Sequence, residues 1–186
     1  MKLNRIAIIG SLLGCAALFA QDPSVNQRKE NQQDRIANGI QSGQLTAGET
    51  KNLENKESNL NKEISSDRKA NGGTLTSAEK QQVNKQQNNL SNQIHQDKTN
   101  ANTAKYGNNE VGARRQLQQD RIAQGVRNGT LKPGQTANIE KQEQKTNQAD
   151  KADRAANGGK LTPTQKQQLN KSLDKTSQKI AADKHK

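Results

Sequence analysis

Beyond residue 20 the large apolar residues stand singly in polar surroundings, and their spacing is helical. Leu53, Leu60 and Ile64 fall on one helix face, as do Val83, Leu90 and Ile94, and Leu169, Leu173 and Ile180. Ile36 with Ile40, and Ile122 with Val126, each mark a turn-spaced pair. Between them the same faces carry polar residues such as Glu57, Gln87 and Thr176, so each stripe is thin.

Four short segments punctuate these stripes: Gly43 to Glu49, Gly73 to Glu79, Gly129 to Gln135 and Gly159 to Gln165. In each, a glycine can take the left-handed conformation that ends a helix. Thr46, Thr76 and Thr162, three residues before Glu49, Glu79 and Gln165, read as capping boxes. Pro133 and Pro163 suit a first helical position. Four stop-and-start signals predict six helices.

The segments belong to a duplication. Gln33-Asp34-Arg35-Ile36-Ala37 recurs as Gln119-Asp120-Arg121-Ile122-Ala123, an offset of 86, and 31 of the 66 positions aligned without a gap are identical. The expected fold is all-α: two homologous three-helix units, 28–100 and 114–186, joined by a polar linker over 101–113. The second unit is poorer in apolar residues, with Thr146 and Asp150 where the first has Leu60 and Ile64, so loose packing is expected.

Residues 1–20 differ in kind. Lys2 and Arg5 precede an apolar run from Ile6 to Leu13, and a small-residue stretch ends at Ala20, which is the pattern of an export signal. Cleavage after Ala20 gives a periplasmic or secreted protein; alternatively Leu12-Leu13-Gly14-Cys15 acts as a lipobox and Cys15 carries a lipid anchor. No later stretch approaches the ~20 apolar residues of a membrane-spanning helix. A chain cut after Ala20 holds no cysteine, so neither disulfides nor thiolate zinc sites are expected.

Composition narrows the function classes. Only 22 of the 166 residues after Ala20 are Val, Ile, Leu, Phe or Tyr, and the mean hydropathy is −1.21. A deep apolar catalytic cavity is not expected, no catalytic constellation stands out, and no cofactor is implied. The formal charge of +12 and pI near 9.9 favour anionic envelope polymers or acidic proteins as partners, through patches such as Arg114-Arg115, Lys51 with Lys56, and Lys179-Lys184-Lys186. Tyr106 is the only aromatic after Ala20, so base stacking is essentially missing and specific nucleic-acid recognition is not expected.

Asp67 to Glu79 has the outline of a degenerate EF-hand loop, but Lys69 stands at the third ligand position and Ala78 at the twelfth. A turn followed by a capped helix is the preferred reading, with calcium-responsive binding a distant alternative. His95 and His185 do not align between the copies, and neither has a second imidazole at metal-ligand spacing. The Gln-Asp-Arg-Ile-Ala…Asp-Arg…Ala-Asn-Gly-Gly…Leu-Thr pattern resembles that of uncharacterised exported bacterial helical tandem-repeat proteins, a resemblance that implies no activity. In composition the chain is similar to hydrophilins, which implies a second role, a partly disordered stress protectant.

Overall fold

A computed structural model of the chain describes residues 23–185, so residues 1–20, expected from sequence to be an export signal, and Cys15 among them lie outside the described residues. The described residues form six helices and no strand: α1 (Pro23–Gln41), α2 (Ala47–Ala70), α3 (Ser77–Thr99), α4 (Glu110–Arg127), α5 (Pro133–Ala156) and α6 (Pro163–Lys184). Helix α1 begins five residues before the boundary expected at 28. Helix α4 begins at Glu110, so residues 110–113, read from sequence as linker, are its first turn. Asn109 caps that turn by accepting from Gly112 N–H at 3.1 Å.

The breaks are built from local chemistry. Thr46, Thr76 and Thr162 each accept from the backbone N–H three residues on at 3.3 Å. The Glu49, Glu79 and Gln165 side chains accept in return from the cap N–H at 2.9, 2.7 and 2.9 Å. Gly43, Gly73, Gly129 and Gly159 hold φ of 71, 99, 71 and 87°, a region costly to side chains. Helix α5 departs from the pattern. Its cap residue is Lys132, whose side chain has no acceptor, although Gln135 still accepts from Lys132 N–H at 2.8 Å and Pro133 takes the first position.

The two units repeat the same internal bonds. Arg28 of α1 donates to Asn84 at 3.1 Å, and its mate Arg114 of α4 donates to Asn170 at 3.0 Å. Gln32 donates to the carbonyl of Gln87 at 2.7 Å, and Gln118 to that of Leu173 at 2.6 Å. Each unit thus ties its first helix to its third through side chains on buried backbone.

Equivalent helices also pack on each other across the units. The broadest interface in the molecule is α2 on α5, followed by α1 on α4. The Gln144 amide lies 3.0 Å from the position of a Cβ on Gly48, and the Ser58 hydroxyl lies 3.1 Å from that on Gly134. Because 48 pairs with 134 and 58 with 144 at the repeat offset, one contact is made twice. That is the signature of a local twofold axis, with α2 and α5 antiparallel across it.

This pairing answers the thin stripes. Ile36, Ile40, Leu53 and Ile94 of the first unit bury with Ile122, Val126, Ile139 and Ile180 of the second in one shared core. Two smaller clusters lie at the ends, Val25 with Leu60, Ile64, Leu75 and Val83, and Val111 with Leu169 and Leu173. Each unit is poor in apolar residues, and the two bury one core jointly. In the second end cluster Leu173 stands at the mate of Gln87, and Asp150, at the mate of Ile64, is buried and bonded to Arg154 at 2.8 Å. The Asp150–Arg154 pair, one helical turn apart, is therefore half interior.

The linker crosses this interface. Ala104 N–H donates to Gly43 O at 2.9 Å, and the Tyr106 ring lies with the Arg115 guanidinium 5.5 Å from its centroid. A Cβ on Gly112 would meet Tyr106 O at 1.9 Å, so the linker backbone passes where only glycine leaves room.

Candidate functional site

The charged patches expected from sequence are partly tied into the fold. Arg115 is buried with its Nε 3.9 Å from Glu143, Arg114 pairs with Asp174, and Lys179 pairs with Asp183 at 2.7 Å. Lys51 donates to Gln144 at 2.9 Å, and Lys56 donates to Gln93. Arg114, Arg115, Lys51 and Lys56 thus reach to a neighbouring helix, whereas Lys179 pairs within α6.

Positive charge collects elsewhere. A cleft of about 650 Å³ runs between α2 and the start of α5, with Lys29, Lys62, Lys69 and Lys132 on its walls and Ser58, Asn61, Ser65 and Ser66 among them. Among the described residues none of these four lysines is in an ion pair. The first turn of α5 faces the cleft at Pro133 and Gly134. Pro133 has no N–H and Gln135 N–H donates to Lys132 O at 2.9 Å, so Gly134 N–H is the leading amide at the positive end of the helix dipole. Two further concavities adjoin through Lys29, one reaching Arg68 and one reaching Arg127 and Gly129. The twofold mate of the cleft, about 470 Å³ beside Thr46 and Gly48, is lined by linker residues Ala101, Asn102, Thr103 and Lys105 and by Gln144, Asn147, Gln148 and Lys151. The cleft around Lys29 thus carries four lysines where its mate carries two.

Beneath the cleft lies a feature that the sequence reading passed over. Glu54 and Glu57 of α2 and their mates Glu140 and Glu143 of α5 are all buried at the interface between the units. Gln33 donates to Glu54 at 3.3 Å and Gln119 to Glu140 at 3.2 Å, but one oxygen of each, and both oxygens of Glu57 and Glu143, have no hydrogen-bond partner. Burial pushes the Glu54 carboxyl up to about 8 against the opposing Gln33 bond. It pushes Glu57 and Glu143 up to about 7, opposed by the Lys29 and Arg115 charges respectively. Glu140 is raised well above the carboxylate range by burial first, with Glu143 and Glu54 adding repulsion. The signal available in sequence was the recurrence of both acids at the repeat offset, beside Leu53 and Ile139.

The turn residues serve as caps. Asn71 donates to both carboxylate oxygens of Glu79 at 2.9 Å, and Asn157 donates to Gln165 at 3.0 Å, so the EF-hand-like outline is used to join consecutive helices. His95 and His185 are exposed. Among the described residues no three His, Cys, Asp or Glu converge as a metal site, and no helix is long and apolar enough to cross a membrane. No protein-family model, curated protein or solved structure matches this chain.

Proposed function

We propose that this chain is a non-enzymatic, exported interaction module that holds an anionic partner, an envelope polymer or an acidic protein segment, in the cleft around Lys29. The observation that carries the reading is the gathering of Lys29, Lys62, Lys69 and Lys132 around one concavity at the start of α5. A helix N-terminus and convergent ammonium groups favour carboxylate, sulfate or phosphate. Export supports the same reading, since a basic exported protein meets anionic envelope surfaces. The protectant and calcium readings have no comparable geometry behind them: the described residues bury a shared core, and the Glu79 carboxylate already serves Thr76 and Asn71.

The test is binding of fluorescent polyglutamate at low and moderate salt. The double reversal Lys62→Glu/Lys69→Glu is expected to weaken binding at least about tenfold. Reversal of two exposed lysines of α6, Lys171→Glu/Lys175→Glu, is expected to change it less than about threefold. Equal loss in both variants would reduce the attraction to net charge and defeat the proposal.

A further inference from the structure

The duplication supplies an internal template for what the cleft holds. In the second unit the seat beside the buried arginine is filled by the linker: Ala104 N–H on Gly43 O, then the Tyr106 ring beside Arg115. The Tyr106 hydroxyl is raised by burial and by the neighbouring charges of Glu140, Glu143 and Asp120, with Arg115 opposing, which places the ring among those groups. At the repeat offset the same seat in the first unit consists of Gly129 for Gly43, Lys29 for Arg115, Gln33 for Gln119 and Asp34 for Asp120.

Among the described residues that second seat is built and open. Gly129 holds φ of 71°, the same as Gly43. Ala104 O lies 3.6 Å from the Cβ position of Gly43, whereas no described residue lies within 4 Å of that of Gly129. The concavity there is about 450 Å³, walled by Lys29, Gln33 and Asp34 of α1 and by Gly129, Leu131 and Lys132 of the α4–α5 turn. Its size falls in the usual ~300–1,000 Å³ range of ligand pockets.

We infer that the seat over Lys29 and Gly129 docks an extended peptide that repeats the Ala104–Tyr106 contacts, giving a backbone N–H to Gly129 O and, two residues on, an aromatic ring to the Lys29 ammonium. Main-chain pairing supplies the grip and the ring the selectivity. The inference rests on the interaction-module reading and specifies its partner: a protein segment with one aromatic residue, preceded by acidic residues that lie beside Lys62, as residues 101–103 lie beside its mate Gln148. The occupant is a separate peptide. A polyanion alone does not use this end of the cleft, since Glu30 and Asp34 share its wall.

The experiment uses the chain from Gln21 onward, which contains every described element, and a synthetic peptide with the sequence of residues 101–109. Amide chemical shifts are followed during titration, with polyglutamate titrated in parallel. The expected result is saturable shifts at Gln33, Gly129 and Lys132, and binding weakened at least about tenfold by Tyr106→Ala in the peptide. Lys29→Met in the protein, checked for an unchanged spectrum, is expected to weaken it several-fold. Polyglutamate binding without peptide binding, or equal binding of the Tyr106→Ala peptide, overturns the docking seat and leaves the module reading standing. Shifts at Gly43 and Gln119 instead, marking displacement of the linker, also overturn it. Failure of both probes overturns the module reading as well.

Discussion

A methyl group at Gly112 would stand 1.9 Å from the carbonyl oxygen of Tyr106 and 2.3 Å from that of Gly107, both of them backbone atoms that cannot rotate away. Gly112→Ala is therefore expected to lift the linker off α4 at a cost of roughly 1–3 kcal/mol. Gly158→Ala has a different cause: φ is 59° and nothing lies within 4 Å, so it should cost about 1–2 kcal/mol from backbone strain alone. Urea midpoints give the two losses, and near-ultraviolet circular dichroism separates them. Tyr106 is the only aromatic after Ala20, so its signal should vanish with Gly112→Ala and survive Gly158→Ala. A surviving signal in both would show that the linker does not depend on that close approach. The capping threonines were legible in sequence because partner and cap lie three residues apart. Gly112 was not, because the atoms that require it belong to a chain segment whose path only the folded molecule sets.

Helix boundaries follow from such local signals, and α5 shows what happens when one is missing. Thr46, Thr76 and Thr162 close their boxes, whereas at α5 the returning side chain, Gln135, is in place and the cap position holds Lys132. Restoring the acceptor by Lys132→Thr is expected to stabilise the protein by about 1 kcal/mol. It should also weaken polyglutamate binding, because it removes one of the four cleft cations. A rise in melting temperature with unchanged binding would remove Lys132 from the cleft's function. The stripes of Leu53, Leu60 and Ile64 or Val83, Leu90 and Ile94 were visible as helix faces, and all six residues are buried. Their polar neighbours Glu57, Gln87 and Thr176 are buried with them, since a seam position is buried whatever it carries once a helix covers it. What the stripe could not reveal is the covering helix: α2 meets α5 across the duplication, a pairing that no periodicity within one unit encodes.

At the scale of the molecule the shared core makes the two units one folding problem. Leu53 and Ile139 are mates on α2 and α5, both fully buried in the joint cluster. Truncating Ile139→Ala should cost on the order of 2–5 kcal/mol, and the loss should be felt in both units. Hydrogen exchange is expected to accelerate in α3 as well as in α6; acceleration confined to α4–α6 would mean that the units fold independently.

The same interface sets the sign of the pH response. The formal charge of +12 counts Glu54, Glu57, Glu140 and Glu143 as ionised, yet burial holds each in its protonated form well above the ordinary value of 4.5. A carboxyl whose folded pKa is raised contributes stability that is fully present below the unfolded value and is lost as pH climbs through the folded value. With Glu57 and Glu143 near 7 and Glu54 near 8, the window runs from about pH 4.5 to about 8. Glu49, Glu79 and Glu110 have lowered values, so their contribution is lost on the acid side of that window and does not offset the trend within it. Each displaced pKa unit is worth ~1.4 kcal/mol at full effect. The melting temperature is therefore expected to fall by at least about 5 °C between pH 5 and pH 8, at the usual ~2–4 °C per kcal/mol for a chain of this size. Glu54→Gln/Glu140→Gln removes two of the charges that would otherwise ionise within the interface. It keeps an acceptor for Gln33 and Gln119, and should raise the pH 8 melting temperature toward the pH 5 value. A melting temperature that stays level or rises with pH in the native chain would mean that these carboxyls ionise without cost, and that α2 and α5 do not close over them as the buried layer requires.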